Sequence, residues 1–369
     1  MAPLPSLARL LPMLLDRRSV YYLVHVTGRC NARCDHCFYW RETDTADKSQ
    51  EIRLDEFEQI SRQLGPTLVI NFCGGEPYLR EDLCEIVQSF VSSTGCLLVT
   101  IPSNGLMTDR IVSFARRICT ENPDAFFRFS FSLDGPERDH DAIRGVPGSF
   151  VRACETIHRV SELHGEFNNF ALLTSAIFSA QTQDHILDFL DWIHNNLPVD
   201  QSNLTFVRGS PREAETLKVD PLIYRQAAEL MRHQRSAGAT SRAPESLLSR
   251  SIFLETLETV EKAHAKQGTR VFRCPAGQKM LLIDRGAEVL PCELLGESRS
   301  MGNLRNFDYD INALLASPQA RGVARWIRQK HCSCTWECAI QASKAFDPTQ
   351  WPALGMRTLS LMLRRQELG

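Results

Sequence analysis

Cys30, Cys34 and Cys37 combine residue type and spacing in a way that can do chemistry. They form a C-x3-C-x2-C triplet just after the apolar run Tyr22 to Val26. Three clustered thiolates can hold three irons of a cubane [4Fe–4S] cluster, which ordinarily takes four cysteines. The fourth iron is then open to an outside ligand, and an open iron is where a reaction can begin. Competing uses fit less well. Buried cysteines acting as small hydrophobes are not packed so tightly in a loop, and a structural zinc takes four ligands in pairs. His36, wedged between Cys34 and Cys37, is awkwardly placed to join them.

A second constellation, Gly74-Gly75-Glu76-Pro77, follows the apolar run Leu68–Phe72. Paired glycines let backbone groups approach a ligand closely. Glu76 can accept from a ligand ammonium, and Pro77 stiffens the exit. Taken together, the triplet and this segment resemble the radical S-adenosylmethionine (SAM) superfamily. The resemblance implies that the three cysteines hold the cluster and that the amino and carboxylate groups of SAM chelate its open iron, with Gly74, Gly75, Glu76 and Pro77 contacting the amino group. It also implies one-electron cleavage of SAM to methionine and a 5′-deoxyadenosyl radical that takes a hydrogen atom from a substrate.

Further segments extend the resemblance. Pro102-Ser103-Asn104-Gly105 and Ser132-Leu133-Asp134-Gly135-Pro136 are similar to stretches that line the SAM pocket. On that likeness Asn104 lies in the pocket, and Ser132 and Asp134 face ribose or carboxylate oxygens. Asp134 is also a natural turn residue before glycine. In His140-Asp141-Ala142-Ile143-Arg144-Gly145 the resemblance gives Arg144 the SAM carboxylate, a task suited to a guanidinium fork. Tyr39 either offers its backbone to the adenine or serves as an ordinary core aromatic.

The third constellation is Cys274, Cys292, Cys332, Cys334 and Cys338. The first two bracket a predicted hairpin, in which Met280–Ile283 and Glu288–Leu290 flank Asp284-Arg285-Gly286. The arrangement resembles the auxiliary-cluster extensions called SPASM and twitch. A full SPASM domain binds two clusters with seven or more cysteines, so five imply one auxiliary [4Fe–4S] cluster. Cys274, Cys292, Cys334 and Cys338 are the leading set, and either Cys332 or Cys334 is the spare. Four thiolates suit a structural zinc as well. Cys84, Cys96, Cys119 and Cys154 read as buried small hydrophobes; Cys73, beside the glycine pair, is the exception worth testing.

The elements that must position these groups follow from apolar periodicity. Short β-rich runs (Tyr22–Thr27, Leu68–Phe72, Leu97–Ile101, Phe127–Leu133, Ala171–Phe178 and Leu204–Val207) alternate with amphipathic helical stretches (Leu54–Leu64, Glu81–Val91, Asp109–Ile118, Ser149–Leu163 and Gln183–Asn195). Six β–α repeats predict an α/β chain with a parallel sheet, a partial (β/α)6 TIM-type barrel whose working loops sit at the strand C-terminal ends. The expected divisions are an N-terminal amphipathic helix over 1–19, a barrel core over 20–210, a helical connector over 211–268, a cysteine-rich SPASM/twitch-like extension over 269–345 and a C-terminal helix over 346–369. Within these, 219–266 and Ile311–Gln329 read as helical.

The 369 residues are 43% hydrophobic and 23% charged, with a net charge of -2, which suits a globular chain and gives no sign of a dedicated nucleic-acid binder. Thirteen cysteines, odd in number and partly clustered, do not make a disulfide framework. With no signal peptide or membrane-span pattern, the expected compartment is the cytoplasm, where clustered cysteines do metal or redox work. Leucines beside Arg9, Arg17 and Arg18, and again beside Arg357, Arg364 and Arg365, make basic amphipathic ends. Such ends can touch an anionic membrane, although docking on the chain's own core is the commoner use.

The expected partners are a reductant such as flavodoxin or ferredoxin and an unidentified small-molecule, peptide or lipid-linked substrate. The stretch before Tyr21 leaves no room for a peptide-recognition domain, so a peptide would need delivery by a partner. The alternatives from other classes are a non-enzymatic iron–sulfur carrier or scaffold and a zinc-stabilised binding protein.

Overall fold

A computed structural model describes residues 13, 18–237, 247–266, 269–329 and 332–367. Strands β1 (Tyr21–Thr27), β2 (Val69–Gly74), β3 (Leu98–Ser103), β4 (Phe126–Ser132), β5 (Phe170–Phe178) and β6 (Gln201–Phe206) pair in parallel in chain order. Helices Leu54–Leu64, Leu83–Thr94, Thr108–Glu121, Ser149–Ser161 and Ile186–Asn196 connect them. Each helix places apolar residues at three- and four-residue steps on one face. Phe57 and Ile60, Val87 and Phe90, Phe114 and Ile118, and Ile157 and Val160 are buried in one core with Val24, Phe72, Ile101, Phe127, Phe129 and Phe131. Alternation along β4 then turns Arg128, Ser130 and Ser132 to the opposite, inner face. The result is an α/β partial barrel, helix-covered outside and carrying polar side chains inside.

The tail hairpin is part of this sheet. Strand β7 (Met280–Ile283) pairs in parallel with β1, Tyr21 opposite Met280 and Val24 opposite Ile283. Strands β8 (Glu288–Leu290) and β9 (Gly302–Asn303) continue antiparallel, giving the order β6-β5-β4-β3-β2-β1-β7-β8-β9. The hairpin turn is organised by Asp284, whose Oδ1 accepts from the N–H groups of Gly286 (2.8 Å) and Glu288 (2.7 Å). The left-handed residue there is Ala287 (φ 69°), although the sequence pointed to a glycine turn at Gly286.

Two helical expectations are revised. Within 219–266 the described helices are Pro221–Ala237 and Leu247–Ala265, separated by residues outside the described set. Ile311–Gln329 divides into Ile311–Ala316 and Pro318–Arg328, because Ser317 before a proline is pushed out of the helical region (ψ 153°) and its side chain caps Ala320 N–H instead. The amphipathic helix expected over 1–19 lies almost wholly outside the described residues. Helix Trp351–Glu367 is the last described element and leaves Met356, Leu359, Met362 and Leu363 exposed. Among the described residues no helix is long and apolar enough to cross a membrane.

Candidate functional site

The triplet sits in the loop after β1, tied down by backbone bonds to the helix Glu137–Arg144. Arg33 N–H donates to Arg144 O (2.9 Å) and Asp35 N–H to Ile143 O (3.0 Å). Burial pushes the Cys30 thiol up to about 11 and Cys37 up to about 12, and it raises Cys34 too. Buried thiols of this kind become thiolates only if cations compensate them. Each sulfur already meets one donor: the N–H of Ala32 at Cys30, the N–H of Tyr39 at Cys37, and Arg144 Nη1 at Cys34 (3.4 Å). Three thiols leave one iron of a cubane without a protein ligand, a donor set that suits an iron–sulfur cluster better than a four-ligand zinc site.

Gly74 and Gly75 lie against this loop. Gly75 N–H donates to Thr27 O (2.9 Å) and Glu76 N–H to Arg29 O (2.8 Å). A Cβ on Gly75 would collide with the Arg29 carbonyl, and one on Gly74 (φ 114°) with the Thr27 carbonyl, so side chains are excluded at both positions. Glu76 is buried and accepts from Ser103 Oγ (2.9 Å), Asn104 N–H (2.8 Å) and Tyr78 N–H (3.3 Å). Despite these donors, burial raises its carboxyl to about 7. Asn104 reaches back to the triplet loop, its Nδ2 donating to Asn31 Oδ1 at 2.6 Å. Pro77 opens a short turn behind Glu76, and Ser132 stands half-buried at the inner end of β4.

Asp134, Arg144 and Tyr39, expected at the SAM pocket, each have partners within the protein. Asp134 is fully buried and spent within the protein: Oδ2 accepts from Arg144 Nε (2.7 Å) and Nη2 (2.6 Å), and Oδ1 accepts from Ile177 N–H (3.0 Å). Burial opposes its charge, but Arg144 outweighs it and holds the carboxyl at about 2. Arg144 therefore clamps Asp134 to Cys34 rather than facing open space, and removing one partner of such a buried pair costs about 3–5 kcal/mol. Tyr39 has both backbone groups in use, its N–H on Cys37 and its carbonyl accepting Thr43 N–H (3.2 Å).

A family model described as the radical SAM superfamily matches residues 24–193, which span the triplet loop, the glycine strap and Arg144. Residues 24–193 carry a radical SAM domain. The AdoMet-dependent heme synthase of Oleidesulfovibrio alaskensis is 30% identical over 148 residues, covering 38% of this chain and 35% of that protein. The GTP 3′,8-cyclase of Lactiplantibacillus plantarum is 28% identical over 179 residues, covering 48% and 51%. The chain thus spans about a third to a half of the length of these curated relatives. Among solved structures, Streptococcus suis SuiB bound to S-adenosylmethionine superposes with a TM-score of 0.60 at 16% identity, covering 86% of this chain and 70% of that one. A structure of anSMEcpe with bound AdoMet gives 0.59 at 16%, covering 94% and 98%. At such identity these likenesses establish the fold alone. A radical SAM domain implies SAM and a [4Fe–4S] cluster as ligands.

The tail cysteines gather at a second core: Cys292 is part of the apolar cluster that holds Tyr21, Leu23 and Leu282, and Cys274, Cys332, Cys334 and Cys338 pack against it. Cys274, Cys292 and Cys334 each receive an N–H two residues ahead, from Ala276, Leu294 and Trp336, the same local device that serves Cys30 and Cys37. Burial pushes Cys274 up to about 12, and the nearby charges of Cys334 and Cys332 add to it. Cys338 differs. Burial lifts it to about 11, Arg208 opposes, and its side chain meets the Tyr21 hydroxyl.

Periodicity gave no hint of one inner group. His25 on β1 and Cys73 on β2 are register partners, and Glu293 follows Cys292. One ligand-type atom from each lies within 4.8 Å of the others. His25 Nε2 is 3.6 Å from Glu293 Oε1, and Arg208 Nη2 is 3.6 Å from Glu293 Oε2. Arg208 Nη1 also binds Glu337 Oε2 at 2.8 Å. The available signal was a histidine in an otherwise apolar strand and a glutamate beside a clustered cysteine.

Proposed function

We propose that this chain is a radical SAM enzyme with one auxiliary [4Fe–4S] cluster. The observation that carries the reading is the convergence of the Cys30, Cys34 and Cys37 thiols, each meeting an N–H donor, with the glycine strap and the Glu76 carboxyl around one loop. Cys30, Cys34 and Cys37 would hold the first cluster, which when bound supplies one-electron cleavage of SAM to methionine and a 5′-deoxyadenosyl radical able to take a substrate hydrogen atom. Gly74 and Gly75 leave backbone space for the methionine end of SAM. Glu76 receives its ammonium, Asn104 fixes the strap to the triplet loop, and Ser132 offers a hydroxyl from β4. Arg144 and Asp134 act as the brace that aims Cys34.

Residues 20–210 form the core of this activity, 211–268 its connector and 269–345 the auxiliary unit. Cys274, Cys292 and Cys334 share the backbone support of the first site, and Cys332, whose charge Cys274 and Cys334 both feel, completes the set. Cys338 is then the spare and belongs to the inner group with Tyr21, Cys73 and Arg208. The polar inner group of His25, Cys73 and Glu293 supports a substrate with polar atoms, whether a small molecule or a peptide delivered by a partner, with a flavodoxin or ferredoxin as reductant.

The test is anaerobic reconstitution followed by dithionite and SAM, with 5′-deoxyadenosine measured by chromatography. The expected outcome is a brown protein that forms it and loses the ability when Cys30, Cys34 and Cys37 become alanine. A colourless protein points to the zinc alternative, and a brown one that leaves SAM intact points to a carrier; either result overturns the proposal.

A further inference from the structure

Six cations of the tail, Arg270, Arg273, Lys279, Arg321, Arg325 and Arg328, line two neighbouring cavities. From Lys262 to Ile283 the chain carries Lys262, Lys266, Arg270, Arg273 and Lys279 and no carboxylate. From Ile311 to Trp336 it carries Arg321, Arg325, Arg328 and Lys330, again without a carboxylate. The fold brings these stretches together around two adjoining cavities of about 770 and 620 Å³, which share Gln278, Lys279, Arg328, Phe346 and Pro348. Arg270, Arg273 and Cys274 line the larger one, and Arg321 and Arg325 the smaller.

These arginines of the cleft have no carboxylate partner among the described residues. Arg270 donates to the carbonyls of Phe272 and Ile327, and among the described residues none of Arg270, Arg273, Arg321, Arg325 and Arg328 pairs with a carboxylate. Among the described residues the only carboxylate lining either cavity is Asp347, whose Oδ1 already accepts from Thr349 N–H and Oγ1. On helix Pro318–Arg328, Arg321, Arg325 and Arg328 recur at four- and three-residue steps, beside the buried stripe Ala320, Ala324 and Ile327. That spacing makes one exposed cationic edge.

We propose that this basic cleft docks an acidic one-electron carrier protein, which exchanges a single electron with the tail cluster through the wall formed by Cys274. The inference rests on the auxiliary-cluster reading. A small anion needs two or three converging donors, whereas here the cations extend across two cavities and along a helix edge. Apolar Val271, Phe272 and Phe346 lie among them. A ring of charge around a modest apolar patch is the make-up of a fast, electrostatically guided encounter. The transfer balances simply: the carrier loses one electron, the tail cluster gains it, and no atom moves.

The experiment mixes the reconstituted full chain with a pre-reduced acidic flavodoxin and follows the bleaching of cluster absorbance by stopped flow. The expected result is a rate that falls about tenfold or more as salt screens the cleft, and falls similarly in an Arg325→Glu/Arg328→Glu double variant. Reduction by methyl viologen radical cation, a small positive reductant, should not slow in that variant. Flavodoxin rates insensitive to both salt and charge reversal, in a chain that loads about eight irons, overturn the docking proposal alone. Loading of about four irons overturns the auxiliary-cluster reading along with it. A cleft that binds inorganic pyrophosphate one-to-one in wild type but not in the variant, with flavodoxin rates unchanged, reassigns the site to a small anion and overturns carrier docking.

Discussion

Burial lifts the Glu76 carboxyl to about 7, against the pull of the Asn104, Ser103 and Tyr78 donors. A raised acid is neutral below that value and charged above it, and only the charged form attracts an ammonium. SAM affinity should therefore fall as pH drops below about 7, by up to about tenfold per unit. Calorimetry across that range checks this, with Glu76→Gln expected to bind weakly at every pH and to lose the slope. The tail cysteines offer a second residue-scale test: Cys332→Ala should cut iron from about eight to about four per chain, while Cys338→Ala should keep about eight. Iron assay beside electron paramagnetic resonance distinguishes the two. Cys30, Cys34, Cys37 and the glycine strap were legible because their chemistry lies in local spacing. Asp134 and Arg144 were legible as important but not in their partners, since their mutual clamp exists only once β4 and the helix after it have folded. Glu293 and Arg208 come together from sites far apart in the chain, which periodicity cannot register.

At the scale of elements, all six barrel strands were readable from β-rich apolar runs, with ends displaced by a few residues where polar inner positions such as Ser103 and Ser132 blur the pattern. The hairpin's strands were readable as well. Its partner was not, because pairing β7 with β1 joins residues remote in sequence and leaves no local trace. That pairing protects the edge of β1. A chain truncated after residue 266 should expose Tyr21–Val24 as an unpaired, fully buried-type edge and aggregate. Size-exclusion chromatography against the full chain tests it; a monodisperse truncated protein would remove β7 from the stability argument. The break at Ser317-Pro318 was also readable in principle, since proline favours the first turn of a new helix.

Across the whole molecule, the tail cysteines draw together segments near residues 274, 292 and 332–334, so the cluster proposed there would hold the fold as well as any electron. Stripping iron with an anaerobic chelator should lower the thermal midpoint and raise amide exchange in 292–301 and 332–338 more than in β3 and β4. Equal exchange in both regions would separate metal from architecture. The seam between β1 and β7 also sets a timetable. Tyr21 meets Met280 only 259 residues later in synthesis, so β1 waits until about three-quarters of the 369 residues are made before its ladder is complete. Contacts so distant in sequence form late and slowly. The triplet loop, which hangs from the end of that first strand, is thus held in an unfinished barrel while the ribosome is still working. Iron delivered early meets accessible thiols, and iron delivered late meets closed ones, which makes the order of folding and cluster loading a property of this topology.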